Sequence, residues 1–222
     1  MNSPSRSIVR RSMLVASALL ASTAVMATGL DGPTMAQAAV NCVVSTGVTQ
    51  TAMTVTGTSA NDTIDCGGAN PAKTVNGNGG NDTITGTVFA DTLNGNDGND
   101  TMTGGIENDT FNGGNGDDTM TGSAGNDILN GGTGDDTETG SEGDDTLKGE
   151  GNNDTLNGGV GNDNLDGGTG TDIVRGDADN DSLKGPQDDL AVDTVDGGAG
   201  TDVCETPVGV VLFPDSLTAC NP

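Results

Sequence analysis

The sequence predicts an all-β solenoid wound from nine-residue repeats, two repeats to each coil. Three observations predict it. Gly and Asp recur at fixed phases of a strict nine-residue period, each period holds one apolar residue two places after its Asp, and a weaker 18-residue alternation overlies the nine. Composition points the same way by exclusion. The 222 residues include 38 Gly and 33 Asp+Glu against 7 Lys+Arg, with 1% aromatics, no His, and a formal net charge of −26. Leu, Ile, Val and Phe, which dominate ordinary interiors, are scarce, so a conventional core could not offset chain entropy. Without His the commonest general base, the Ser-His-Asp arrangement and His-based zinc sites are excluded. The excess of acid argues against nucleic acid, whose phosphates need Lys and Arg. A disordered acidic tail would explain the charge, but it predicts no strict phase.

The first element is an export signal, residues 1–38. Arg6, Arg10 and Arg11 precede an apolar run from Met13 to about Met26, and Ala36-Gln37-Ala38 has the small-x-small form of a signal-peptidase site. The run is short for a membrane span and is broken by Ser17, Ser22 and Thr23, so no span is expected in the mature chain. Arg10-Arg11 leaves the route open between general secretion and twin-arginine export. Removal of this segment deepens the negative charge and places the chain where disulfides form. Four cysteines allow three connectivities; proximity favours Cys42–Cys66 and Cys204–Cys220. Residues 39–56, with Val43-Val44 and Thr54-Val55-Thr56, read as an N-terminal cap.

The repeats fill 57–205. Twelve run without interruption from Gly77 to Lys184. Position one is Gly in every copy, and position six is Asp82, Asp91, Asp100, Asp109, Asp118, Asp127, Asp136, Asp145, Asp154, Asp163, Asp172 and Asp181. Less regular copies before and after add Asp62, Asp193 and Asp202 at the same phase and bring the total to sixteen. Six residues rich in Gly, Asn and Asp suit a turn, because these types tolerate φ > 0. The remaining three read polar–apolar–polar, as in Thr83-Ile84-Thr85, which in a strand sends the middle side chain to one face. One apolar residue in nine makes a core only if strands stack and wind. Position nine alternates between Thr85, Thr103, Thr121, Thr139 and Asn94, Asn112, Asn130, Lys148, which suggests two repeats per coil. Sixteen repeats then give about eight coils and, at roughly 4.8 Å each, a rod about 38 Å long.

These motifs resemble the RTX nonapeptide family, Gly-Gly-x-Gly-x-Asp-x-apolar-x. Gly113 to Thr121 and Gly158 to Asp166 match every fixed position. The resemblance implies a right-handed parallel β-roll that binds several calcium ions between stacked turns, with the position-six Asp and turn carbonyls as ligands. The chemistry agrees, since calcium takes six to eight oxygen ligands in tolerant geometry. Stacked carboxylates about 5 Å apart repel by about 0.8 kcal/mol per pair even in water, and a divalent cation between turns reverses that sign. Binding free energy then becomes folding free energy.

Some copies depart from the pattern. Lys73 stands at the Asp position; Phe89, Glu107, Asn152 and Asp179 replace Gly at position four; Pro186 and extra residues near Asp188 to Leu190 interrupt the fifteenth copy. On the order of ten sites are therefore expected. Glu138 stands at an inward, apolar position, where a buried carboxylate is costly; exposure, protonation and a local defect are each compatible with the sequence. Residues 206–222, with the apolar stretch Val208 to Phe213, read as a C-terminal cap.

No enzyme is expected, because only about 18 residues separate the signal from the first repeat, and evenly repeated carboxylates suit metal binding better than a single acid–base pair. The sequence therefore points to a secreted calcium-binding repeat protein, with a structural or adhesive role toward a cell-surface or matrix partner as the alternative. A lesser alternative is ice binding through the Thr-x-Thr rows Thr83/Thr85, Thr101/Thr103, Thr119/Thr121 and Thr137/Thr139, although Thr also simply suits exposed strand positions.

Overall fold

The computed structural model describes residues 41–184, 194–205 and 216–218. The export signal, Asp193, Pro186 with Asp188 to Leu190, Val208 to Phe213 and the Cys204–Cys220 pairing lie outside the described residues or depend on residues that do. Among the described residues every regular element is a strand, and the twenty strands form two ten-stranded sheets. From Thr54–Thr56 onward successive strands alternate between the sheets, so each coil contributes one strand to each. The chain is thus a β-solenoid of about eight coils, with two nonapeptides per coil as the 18-residue alternation requires.

Register follows the repeat. Thr119, Met120 and Thr121 lie beside Thr101, Met102 and Thr103 on one side and Thr137, Glu138 and Thr139 on the other, all parallel. On the opposite sheet Ile128, Leu129 and Asn130 lie between Thr110, Phe111, Asn112 and Thr146, Leu147, Lys148. Pairing runs further than three residues per repeat. Strand Thr119–Ala124 continues through positions one to three, with Ser123 beside Ser141 and Ala124 beside Glu142. Stacking like turns makes this possible, because turn amides such as those of Gly98 and Gly116 donate to backbone carbonyls one coil on, Asn115 and Thr133, at 2.8 and 2.7 Å.

The core is two facing columns of position-eight side chains. One runs Ile64, Ile84, Met102, Met120, Glu138, Leu156, Val174 and Val195; the other runs Val55, Val75, Leu93, Phe111, Leu129, Leu147, Leu165 and Leu183. All are buried. The side chains beside them in sequence face out, where Asn94 links Asn76 and Asn112 by side-chain hydrogen bonds of 3.0 and 2.8 Å. At the start of the solenoid the pattern changes: Val43–Val44 and Thr49–Gln50 pair antiparallel with Ile64–Asp65 and Val55–Thr56, one pair on each sheet. A Cys42–Cys66 disulfide ties this segment to the first coils.

Turn conformation explains which departures from consensus are tolerated. Position four is left-handed at Gly116 (φ 122°), and Glu107, Asn152 and Asp179 keep that conformation at 67°, 87° and 81°. A non-Gly residue there is uncommon, yet stacking between neighbouring turns enforces it. Phe89 does not adopt positive φ, and its turn is built differently.

Candidate metal centre

The position-six aspartates form two columns at the corners where turns enter strands. In the first, Asp62, Asp82, Asp100, Asp118, Asp136, Asp154 and Asp172 are stacked; in the second, Lys73 is followed by Asp91, Asp109, Asp127, Asp145, Asp163, Asp181 and Asp202. One rule joins them: the backbone N–H of each donates to Oδ1 of the next. The distance is 2.7 Å from Asp82 to Asp100 and 2.9 Å from Asp154 to Asp172. Every one of these aspartates is buried.

The other oxygen carries the chemistry. Oδ2 of Asp82, Asp100, Asp109, Asp118, Asp127, Asp136, Asp145, Asp154, Asp163, Asp181 and Asp202 is buried with no hydrogen-bond partner. It points at the position-one Gly of its own turn, and the position-one carbonyl of the next coil approaches the same spot. A Cβ on Gly95 would press against Asp100 Oδ2 and lie 2.8 Å from Gly113 O. On Gly149 it would press against Asp154 Oδ2 and lie 2.5 Å from Gly167 O. This explains Gly at position one, where φ is not left-handed: the space a methyl would fill lies between two acceptor oxygens. Asp172 belongs to the same series, with Oδ2 2.6 Å from a Cβ on Gly167.

Electrostatics express the same crowding. Burial, and behind it the neighbouring carboxylates, pushes Asp109, Asp118, Asp145 and Asp154 up to about 7. Asp100, Asp136 and Asp163 are pushed up to about 6 by the same leading cause, and Asp82, Asp127 and Asp181 also rise. The hydrogen bond to Oδ1 opposes the rise in each case without cancelling it.

Two of the expected ligands are arranged otherwise. Asp62 Oδ2 accepts the Thr58 N–H at 2.6 Å and the Thr58 hydroxyl at 3.0 Å, while its Oδ1 accepts the Ser45 hydroxyl at 2.6 Å. Burial raises its pKa, but these bonds outweigh it and the net shift is downward. Asp91 Oδ2 accepts the Thr87 N–H. Both turns carry Thr at position two, and the Thr hydroxyl closes a small turn of its own with the Ala60 or Phe89 carbonyl. Lys73, expected to disrupt its copy, is buried at the head of the second column. Its backbone N–H donates to Asp91 Oδ1 and its ammonium to Ala52 O. Burial lowers the Lys73 pKa, with Asp91 opposing.

Position five was not singled out in the sequence, yet it forms an outer ladder of opposite polarity. The Asn99 N–H donates to Asn81 Oδ1, Asp117 to Asn99, Asp135 to Asp117 and Asn153 to Asp135, at 3.0–3.2 Å. The signal was the Asn or Asp before most position-six Asp residues, with Ala90, Thr171 and Thr201 among the exceptions. This ladder is exposed, and it braces the turns from outside.

The corner chemistry fits calcium. At corners such as Gly95 and Gly149 an Asp oxygen buried without a hydrogen-bond partner faces a backbone carbonyl oxygen, and such oxygens are the ligands of a hard cation. Among the described residues no three acidic or Cys side chains converge on a point, so each corner would draw most of its ligands from backbone carbonyls. Fold and corners together define a β-solenoid of stacked nonapeptide turns with oxygen-lined corners. A sequence model of the RTX calcium-binding nonapeptide repeat matches residues 76–111, 103–138, 139–165, 166–185 and 191–205, more than half of the chain. The chain belongs to this family. No curated protein matches the chain.

Proposed function

We propose that this chain is an exported calcium-binding protein whose roll folds around calcium held in its two columns of corners. The observation that carries this reading is the buried, donorless Asp Oδ2 facing a backbone carbonyl across successive turns. Two dehydrated acceptors cannot satisfy each other, so such a pair requires a cation or a proton. The proposed ligands are Asp82, Asp100, Asp109, Asp118, Asp127, Asp136, Asp145, Asp154, Asp163, Asp172, Asp181 and Asp202, with turn carbonyls. Asp62 and Asp91 are left out because Thr N–H groups already occupy their second oxygens. Calcium, when bound, supplies the positive charge that turns stacked repulsion into attraction. The aspartates then serve twice, setting coil register through Oδ1 and ligating through Oδ2. One buried apolar side chain per nine residues is a thin core, so binding free energy is folding free energy.

Within this reading residues 1–38 direct export, 57–205 form the roll, and 39–56 and 206–222 cap its ends. The antiparallel pairs and the Cys42–Cys66 bridge support the first cap, since they cover the edges of the first coils. Among the described residues no helix is long and apolar enough to cross a membrane. Far-ultraviolet circular dichroism of protein stripped of calcium at about pH 8, where the corner carboxylates are ionised, then with added calcium, tests the proposal. A disordered spectrum converting to β structure is expected, and a β-rich spectrum unchanged by stripping would sink it.

A second reading rests on one sheet face. Thr83, Thr101, Thr119 and Thr137 stack in register, as do Thr85, Thr103, Thr121 and Thr139. Such a face suits adhesion or ice binding. Thermal hysteresis that is absent in the calcium-loaded protein would remove the ice-binding form.

A further inference from the structure

Glu138 interrupts an otherwise apolar column. It lies in register between Met120 and Leu156, with 0% of its surface exposed. The backbone N–H groups of Gly131 and Lys148 face its carboxyl, but neither oxygen accepts a hydrogen bond of full geometry. Its course explains where they go. Oε1 lies 2.9 Å from the point that a Cβ on Gly131 would occupy, and Asp136 Oδ2 lies closer to the same point. The Gly104 corner is the apolar counterpart, in which the core-side neighbour is a carbon, Phe111 Cζ at 2.9 Å, beside Asp109 Oδ2. At the Gly131 corner the apolar wall is replaced by a carboxylate oxygen. Glu138 therefore reaches across the core to Gly131 on the facing strand, as Phe111 reaches Gly104, and places its carboxyl beside the Asp136 corner. Asp154, the next aspartate of the column, binds the Asp136 N–H through Oδ1 at 2.8 Å.

We infer that Glu138 is a calcium ligand of the Gly131–Asp136 corner, adding from the core side a second carboxylate to Asp136 Oδ2. The inference rests on the calcium reading above. Elsewhere in the column a corner offers one unpartnered Asp oxygen from its own turn; here two carboxylates approach one point. Calcium affinity rises with ligand charge, so this corner, in the middle of the rod, binds more tightly than its neighbours. A residue that costs stability in the calcium-free core thereby gains a role when the ion is present. Glu138 is a seed from which ordering spreads to the adjacent coils, since solenoid repeats stabilise one another through nearest-neighbour contacts.

The test compares the full-length protein with E138Q, which keeps size, and E138L, which restores the apolar column. Calcium binding is followed by calorimetry and counted by equilibrium dialysis. Both variants should lose the tightest site, either from the count or by a drop of about tenfold or more in its affinity. The infrared difference between wild type and E138Q, both calcium-loaded, should show an ionised carboxylate for Glu138. Unchanged count and affinity in both variants, or a protonated carboxyl band in that difference, would overturn the assignment. E138L, which restores the apolar column, keeps the calcium count and affinity readable even if E138Q is less stable. Wild type that binds no calcium would instead overturn the calcium reading itself.

Discussion

Asp118 accepts the backbone N–H of Asp100 at 2.7 Å through Oδ1, while its Oδ2 lies buried without a donor. One carboxylate thus carries two separable duties. Asp118→Asn keeps an acceptor for the Asp100 amide but removes the charge. Asp118→Ala removes both and leaves a buried N–H unpaired, at about 1–3 kcal/mol. In saturating calcium, D118A should melt below D118N, and both should bind calcium more weakly than wild type at one corner. Thermal unfolding with calorimetric titration checks this; equal melting of the two variants would show that the Oδ1 ladder contributes nothing.

Asp91 and Asp109 are consecutive in one column and look alike in sequence, yet only Asp91 has its second oxygen taken, by the Thr87 N–H. D109N should lower the number of bound calcium ions by one, or weaken one site, whereas D91N should leave the number unchanged. Equilibrium dialysis distinguishes the two. A loss of equal size in both would mean that the Thr87 contact gives way to the ion.

The contrast shows what the sequence could and could not carry. Phase alone identified the corner aspartates, the inward column and the coil of two repeats, because a solenoid maps sequence period directly onto space. The Thr87 contact was not legible in that way. It depends on a backbone that, at Phe89, fails to enter the left-handed region that Glu107 enters without being Gly. The shared Thr58 and Thr87 at position two were the available clue. Glu138 was visible as an anomaly, but the direction of its carboxyl follows from side-chain torsions, which no period encodes.

Gly95 offers a test of the corner that leaves backbone strain aside, because its φ is not left-handed. A methyl there would stand 2.8 Å from Gly113 O and press on Asp100 Oδ2. G95A should therefore weaken calcium binding at that corner. Gly98, by contrast, has φ 127°, and G98A should destabilise the roll through strain as well. Calcium titration of both, with thermal melts at saturating calcium, separates the effects. Wild-type affinity in G95A would show that the ion lies elsewhere.

The raised aspartates fix the sign of the pH dependence. Asp109, Asp118, Asp145 and Asp154 titrate at about 7 in the calcium-free fold against an ordinary 3.8, chiefly through burial. Between those values the folded state holds more protons than the unfolded chain, so calcium-free stability falls as pH rises through that window. Protons take the place of the cation at acid pH, and repulsion is fully developed above neutrality. Calcium-stripped protein should show β structure at about pH 5 that is lost by about pH 8. The calcium-loaded form should behave oppositely, with protons competing for Oδ2 and the calcium needed for half-folding rising as pH falls below about 6. Circular dichroism across pH, with and without calcium, measures both slopes, and calorimetry in buffers of different ionisation heat should detect proton release on calcium binding below neutrality. A folding midpoint independent of pH would show that the corner carboxylates are not the groups on which folding turns.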